Sequence, residues 1–189
     1  MIAAMAEEQL AHPRQVGSLR SLTHGGAPIA LEVVSRTQAA FPSTELRHTY
    51  GATEMAPLAT LLRHEEKLMD SDIARSCGQA VAGVDVRVFG PDGHERPPGE
   101  IGEVVVRGPN IMQGYWNKPA QTADALRHDW YYSGDLGYVN AQGYLFLVDR
   151  VRDMIISGGE NVYSTEVEEV LYKHPAVFEA AVFGVPDAQ

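Results

Sequence analysis

The sequence predicts a mixed α/β fold, because its hydrophobic period changes twice along the 189 residues. Helix-like spacing of apolar residues dominates the N-terminal part, and an alternation typical of strands begins near Val84. Between about residues 78 and 150, short strand patterns separated by turn residues indicate a small antiparallel sheet or barrel. From Met154 onward, a strand, a helix and a second strand follow in order, which indicates a small α+β unit.

The N-terminal part contains two helical patterns. Ala3, Ala6 and Leu10 fall on one side of a first helix. The second pattern covers residues 30–41 and follows the turn-like stretch Gly25-Gly26-Ala27-Pro28. Proline suits the first turn of a helix because its missing amide donor has no partner there.

The middle of the chain reads as a series of strands. Residues 84–88 alternate between valine and charged side chains, which predicts a strand with one buried face. Residues 103–107 form a second, valine-rich strand pattern. Two further apolar segments, 136–139 and 144–148, flank the turn residues 140–143 and predict a hairpin.

The C-terminal part has its own pattern. Residues 154–156 are a short apolar strand, and 157–161 form a polar, glycine-containing loop. Thr165 and Glu168 have capping-box spacing, so a helix is expected to begin there. Residues 180–185 are apolar enough to predict a final strand.

Composition excludes some functions. A formal net charge of −10 argues against duplex nucleic-acid binding, which needs a basic face, but permits a small anionic ligand held by backbone amides or magnesium. Cys77 is the only cysteine, so neither an internal disulfide nor a four-cysteine zinc site can form; this fits a reducing cytoplasm. No apolar run reaches the roughly 18 to 20 residues that span a bilayer. We therefore expect a cytoplasmic chain without a transmembrane segment.

Several separated motifs need one explanation. Their order and spacing resemble the adenylate-forming (AMP-binding) superfamily, and within it the acyl-CoA synthetase and fatty-acid–CoA ligase branch. One such motif would be weak evidence, whereas six in the same order are strong. The motifs are Gly25-Gly26-Ala27-Pro28, Tyr50-Gly51-Ala52-Thr53-Glu54, residues 102–108, residues 114–119, residues 132–136, and residues 149–153 continuing through 157–161.

The first two motifs suit the base, the phosphates and a metal. Glycine backbone at Gly25 and Gly26 can approach a planar base closely, and the resemblance places Ala27 and Pro28 at the nucleotide with them. The alternative is a plain turn that leads into a helix.

The Tyr50–Glu54 motif offers four kinds of contact. Tyr50 provides a flat face for adenine, and Gly51 keeps the turn tight. Thr53 offers a hydroxyl to a phosphate oxygen, and Glu54 offers a hard carboxylate oxygen to Mg²⁺. The resemblance makes Thr53 and Glu54 the catalytic pair and Glu54 the metal ligand; the alternative is a turn with a solvated glutamate.

Two further residues suit the sugar. A carboxylate at Asp135 can accept hydrogen bonds from two adjacent ribose hydroxyls, and Arg150 supplies donors for ribose or phosphate oxygens. Taken singly, Asp135 could be a turn residue and Arg150 a surface charge. The resemblance places both on the nucleotide.

The resemblance also implies a domain division. Residues 1–150 correspond to the end of the large N-terminal domain, including the barrel-like part at about 78–150, and 151–189 begin the small C-terminal domain. Arg152 corresponds to the hinge between them. Ser157, Gly158 and Gly159 correspond to a loop that lines the tunnel for the pantetheine arm of coenzyme A.

The implied activity is ATP-dependent acid–thiol ligation with Mg²⁺ and coenzyme A. A carboxylic acid is activated as acyl-AMP and transferred to the thiol. The apolar residues 55–58 suggest an apolar acid, although such residues are more often core. The 154–162 segment resembles fatty-acyl- and aryl-CoA ligases, and we favour a fatty acid. One alternative is an adenylation domain that loads a carrier protein. A second is a non-catalytic nucleotide-binding or scaffold fragment.

Two parts typical of the superfamily do not occur in the sequence. No Ser/Thr/Gly-rich loop ending in Pro-Lys precedes residue 20, and no distal lysine segment follows Gln189. We therefore expect an internal fragment that does not catalyse adenylation by itself. The sequence does not predict the oligomeric state.

Overall fold

The computed structural model describes residues 1–26, 31–64, 72–172, 174, 176–177 and 180–185. The predicted residues Ala27 and Pro28 therefore lie outside the described residues. The fold is mixed α/β, as predicted, and its two larger sheets are joined by one hydrophobic core.

The N-terminal part combines two helices with a four-stranded sheet. Helix α1 covers Ile2–Ala11 and packs on helix α2, Leu31–Ala40. Ala6, Ala40 and Phe41 are the buried residues of the small core around these helices. Both predicted helices are thus confirmed within the described residues.

The first sheet has the order β1-β2-β3-β4. Strand β1, Ser21–Gly25, pairs in parallel with β2, Glu45–Tyr50, and α2 makes the crossover that a parallel pair requires. Strand β2 continues into a 3₁₀ turn, Thr53–Met55, and pairs antiparallel with β3, Thr60–Leu62, which pairs with β4, Gln79–Ala80. The parallel pairing sets His24 beside His48 at the end of the sheet that leads into both nucleotide motifs.

The second sheet confirms the predicted antiparallel, barrel-like part. It is a half-barrel in which every described pairing is antiparallel. The long strand β8, Trp130–Val139, pairs with β6 on one edge and with both β7 and β9 on the other. The remaining strands are β5 Asp85–Phe89, β6 Gly102–Arg107, β7 Leu126–Arg127 and β9 Leu145–Arg150, and helix α3, Pro119–Ala125, precedes β7.

The predicted hairpin is the pair β8–β9. Asn140 organises its turn, because its side-chain oxygen accepts hydrogen bonds from the backbone amides of Gln142 and Tyr144. The register sets Asp135 directly opposite Arg150. The hairpin therefore brings two of the predicted nucleotide-binding residues together.

The C-terminal part differs from the sequence prediction in two respects. Strands β10, Ile155–Ser157, and β11, Glu160–Val162, form a hairpin, so the predicted 157–161 loop is partly strand. Helix α4 covers Ser164–Tyr172 and begins one residue before the predicted cap. The two-residue turn between β10 and β11 consists of Gly158 and Gly159, whose φ angles of 61° and 88° suit the tight turns of β-hairpins.

The predicted capping box does not form. Thr165 lies inside α4, and its hydroxyl donates to the carbonyl of Val148. Glu168 accepts a hydrogen bond at 2.8 Å from the backbone amide of Val182. The prediction of a strand at 180–185 is also wrong. The structure assigns no strand to these residues, and the backbone amide of Val182 donates to the Glu168 side chain.

The main core lies between the two larger sheets. Val104, Val106 and Met55 are completely buried in it. The other buried members are Tyr50, Ala59, Cys77, Val84, Tyr131 and Leu145. Two residues near the predicted site, Tyr50 and Met55, are thus fixed by core packing. None of the described helices has the length and apolar character needed to cross a bilayer.

Candidate nucleotide-binding site

Asp135 lies at the centre of the site. The hydroxyl of Tyr50 donates to its Oδ2 at 2.7 Å, and Nε of Arg150 lies 3.4 Å from its Oδ1. Tyr50 comes from the first sheet, whereas Asp135 and Arg150 come from the second. The structure therefore brings three predicted residues into direct contact across the two sheets.

Asp135 is held by the turn that precedes it. Its backbone amide donates to Oγ of Ser133, and the Ser133 hydroxyl donates to the carbonyl of Val104. The Asp135 side chain is 21% exposed and that of Arg150 is 73% exposed. A carboxylate has about four acceptor positions, so the contacts with Tyr50 and Arg150 leave capacity for ribose hydroxyls.

Tyr50 acts in the structure as a hydrogen-bond donor. It is only 7% exposed, and burial raises the pKa of its hydroxyl, with the negative charge of Asp135 raising it further. The hydroxyl is therefore neutral throughout the physiological range and can hold Asp135. Stacking of the Tyr50 ring on adenine stays a prediction.

Glu54 has a hydrogen-bond partner of its own, Tyr115. The hydroxyl of Tyr115 donates to Glu54 Oε1 at 2.7 Å. Burial raises the pKa of Tyr131, and the charges of Glu54, Tyr115 and Asp135 raise it further. Tyr131, Tyr50 and Met55, the residue after Glu54, belong to one core cluster, so the Glu54 turn and the Asp135 group border the same core.

Gly51 is required by close packing. A Cβ atom at this position would lie 1.9 Å from the carbonyl oxygen of Pro57, which no side chain can tolerate. Thr53 is exposed at the start of the 3₁₀ turn that follows, so its hydroxyl is open to a ligand. Close packing therefore requires glycine at position 51, whereas phosphate binding by Thr53 stays a prediction.

The glycine motif lies at the end of the first sheet. Gly25 is the last residue of β1 and pairs with Thr49, one residue before Tyr50. Gly26 follows with a φ of 80°, a conformation that favours glycine. Gly25 and Gly26 therefore lie beside the start of the Tyr50 motif, as a shared base-binding role requires.

A histidine pair lies behind these motifs. The rings of His24 and His48 are stacked with centroids 4.6 Å apart, and Nδ1 of His48 is 3.1 Å from the carbonyl oxygen of Ser76. Burial, and then the neighbouring His48, lower the pKa of His24 to about 4. Burial also lowers the pKa of His48.

Because of this histidine pair, we expect the folded chain to lose stability at acidic pH. Between pH 6.5 and about 4, the unfolded chain binds more protons at His24 than the folded chain does, so stability is lost as the pH falls through that window. Urea unfolding at pH 7 and pH 5 should show a lower midpoint at pH 5, and His24→Asn should reduce the difference. The exposed His128→Asn is the matched control. An unchanged difference in His24→Asn would contradict the assignment.

The predicted hinge and tunnel residues follow strand β9 in the chain. Arg152 is exposed in the turn between β9 and β10, where the amides of Asp153 and Met154 donate to the carbonyl of Arg150. Ser157, Gly158 and Gly159 are exposed on the β10–β11 hairpin. Their hinge and tunnel roles stay predictions.

The donor set suits magnesium held together with phosphates. Among the described residues, no group of three or more His, Cys, Asp or Glu side chains could form a metal cage. Mg²⁺ usually binds one or two carboxylates plus substrate phosphates, so Glu54 alone fits that mode. Tyr115 uses one acceptor position of the Glu54 carboxylate and leaves others for a cation.

Sequence reasoning gave no role to three residues around the site. Tyr115 lies in the 114–119 motif and Tyr131 in no motif, and only the fold sets Tyr115 beside Glu54. Asp149 lies in the 149–153 motif and also gave a local signal, because a charged residue continues the inward alternation of Leu145 and Leu147 and is rarely buried without partners.

Two family models match parts of this chain. Residues 1–116 match the family model of the AMP-binding enzymes, and residues 166–189 match the C-terminal domain of AMP-binding enzymes. A feruloyl-CoA synthase from Amycolatopsis sp is 44% identical over 98% of this chain and 38% of the relative. A fatty acid–[acyl-carrier-protein] ligase from Streptomyces coeruleorubidus is 37% identical over 99% of this chain and 37% of the relative.

The structural comparison covers the same part of the relatives. An O-succinylbenzoate coenzyme A synthetase from Bacillus subtilis, solved in complex with ATP and magnesium ion, has a TM-score of 0.86 and 34% identity. The match covers 99% of this chain and 38% of that structure. The chain thus spans about two-fifths of the length of these proteins. Its sequence and its fold together show that the chain belongs to the AMP-binding enzyme family.

Proposed function

We propose that this chain supplies the adenosine- and magnesium-binding part of an ATP-dependent acid–thiol ligase. The observation that carries the proposal is the contact of Tyr50 and Arg150 with Asp135, a carboxylate placed to accept the two ribose hydroxyls. In this reaction, the substrate carboxylate attacks the α-phosphate of ATP and releases pyrophosphate. The thiol of coenzyme A then attacks the acyl carbon, and AMP leaves.

The residues of this chain would act by positioning. Asp135 and Arg150 would hold the ribose, Gly25 and Gly26 would approach the base, and Thr53 would donate to a phosphate oxygen. Bound magnesium, held by Glu54, would neutralise phosphate charge. Phosphoryl-type transfer needs mainly positioning and charge neutralisation, so this set suits the first half of the reaction.

For the carboxylic acid substrate we propose a chemical class and not a single compound. Met55 is completely buried in the main core, as the core alternative for residues 55–58 predicts, so it carries no information on the acyl pocket. The relatives reported above are named for feruloyl-CoA and for fatty acids. We therefore propose a carboxylic acid with an apolar acyl or aryl group.

Cys77 is a free, buried thiol, which supports a reducing, cytoplasmic location.

A carrier-protein acceptor is the second candidate. It is favoured by the relative named as a fatty acid–[acyl-carrier-protein] ligase. Coenzyme A and a carrier protein present the same kind of pantetheine thiol, so the nucleotide site described here serves both. An assay that offers the two acceptors separately to the adenylated acid distinguishes them.

Nucleotide binding tests the proposal. Titration calorimetry of the chain with AMP should show saturable binding with a Kd below about 1 mM, equivalent to about −4 kcal/mol. CMP is the control, since it has the same ribose and phosphate but another base. Absence of AMP binding in a folded chain would contradict the proposal and support an inert scaffold fragment instead.

A further inference from the structure

Residues 110–115, which we term the clamp segment, hold the Glu54 turn from outside the motif that contains it. The side-chain amide of Asn110 donates to the carbonyls of Met55, at 2.8 Å, and Leu58, at 2.9 Å. The backbone amide of Met112 donates to the carbonyl of Glu54 at 2.8 Å. Three hydrogen bonds therefore fix the backbone on which Glu54 lies.

The side chain of Glu54 is held by the same segment. Tyr115 donates its hydroxyl to Glu54 Oε1 at 2.7 Å. Of these four bonds it is the one that reaches the Glu54 side chain, and it acts on the carboxylate that would bind magnesium.

Tyr115 is itself held in place. Its backbone amide donates to Oγ1 of Thr122 at 2.9 Å, and its carbonyl accepts from the amide of Lys118 at 3.2 Å. The Thr122 hydroxyl also donates to the carbonyl of Lys118, one residue before α3. The start of α3 thus anchors Tyr115, and Tyr115 orients Glu54.

We propose that Tyr115 is a positioning residue that orients the Glu54 carboxylate for the magnesium ion of Mg·ATP, with Asn110 and Met112 fixing the turn beneath it. This inference rests on the proposed function. A free glutamate side chain loses rotamer entropy when it binds a metal, and a hydrogen bond that pre-orients it removes part of that cost. Loss of a partner that orients a metal ligand typically lowers metal affinity about 10- to 100-fold.

The test is the effect of magnesium on ATP affinity. Calorimetric Kd values for ATP are measured with Mg²⁺ and with EDTA, and their ratio gives the magnesium-dependent gain. Tyr115→Phe is expected to reduce this gain about 10-fold while leaving the affinity in EDTA unchanged. A merely structural role would weaken both affinities together. Tyr144→Phe, in the β8–β9 turn, is the matched control and should behave as the unchanged chain.

A second variant shows whether Tyr115 acts through Glu54. In a Glu54→Gln background the magnesium-dependent gain is already lost, so adding Tyr115→Phe should have no further effect on it. An equal gain in Tyr115→Phe and the unchanged chain would overturn this inference and leave the proposed function intact. Failure of the unchanged chain to bind ATP would instead overturn the proposed function, and this inference with it.

Discussion

Asp135→Asn is expected to weaken AMP binding about 100-fold, the largest effect of any single substitution in the site. Hydrogen bonds to a charged partner contribute about 1.5–3 kcal/mol each, and the carboxylate would accept from two ribose hydroxyls. Asparagine keeps the shape of the side chain and its contact with the Tyr50 hydroxyl through an oxygen. The loss should therefore appear in binding more than in folding, and calorimetry with AMP measures it.

Dideoxy nucleotides separate this explanation from a general disturbance. The unchanged chain should bind AMP about 100-fold more tightly than 2′,3′-dideoxy-AMP, whereas Asp135→Asn should bind both with similar, weak affinity. Asp85→Asn is the matched control, because Asp85 also pairs with an arginine, Arg107 at 2.8 Å, on the same sheet. If Asp135→Asn still discriminated between the two nucleotides, Asp135 would not be the ribose ligand.

Asp149→Ala is expected to release helix α4 from the half-barrel. Asp149 is 8% exposed, and its carboxylate accepts hydrogen bonds from the backbone amides of Arg150, at 2.7 Å, and Ser164, at 2.6 Å. It also accepts from the Ser164 hydroxyl. Ser164 is the first residue of α4, where a negative charge is favourable. Removing the carboxylate leaves buried donors unpaired, which costs about 3 kcal/mol or more.

Hydrogen exchange measures this release. Amides of α4 should lose protection in Asp149→Ala, while those of β6 and β8 in the main core should keep theirs. The exposed Asp153→Ala, a few residues away in the following turn, is the matched control. Retained protection of α4 in Asp149→Ala would show that packing, and not this carboxylate, anchors the helix.

The sequence predicted the site best where the relevant residues share one local element. The hairpin turn at 140–143 and the alternation on both sides of it predict the pairing of β8 with β9. The opposition of Asp135 and Arg150 also depends on a register shift between Leu136 and Gly137, which local patterning does not show. The close packing at Gly51 is consistent with its being glycine. The family resemblance supplied the roles of these residues, which periodicity alone does not give.

Contacts between distant segments could not be predicted in the same way. The hydrogen bond from Tyr50 to Asp135 and the one from Tyr115 to Glu54 join residues 85 and 61 positions apart. Both depend on how the two sheets and the clamp segment pack, and no local pattern contains that information. The three bonds that fix the Glu54 turn were missed for the same reason.

The capping prediction failed because a stronger partner was available. Thr165 and Glu168 have the correct spacing, but the buried carboxylate of Asp149 binds the first amide of α4 from another strand. A charged acceptor gives a stronger hydrogen bond than a hydroxyl does. Tertiary structure therefore moved the start of the helix to Ser164 and left Glu168 to bind Val182.

The most direct test of the account is a crystal structure of the chain with AMP and Mg²⁺. The account predicts that both ribose hydroxyls lie within about 3 Å of the Asp135 carboxylate, with Arg150 also at the ribose and Glu54 on the phosphate side of the same ligand. AMP bound at another surface, with Tyr50, Glu54, Asp135 and Arg150 all free of it, would contradict the account.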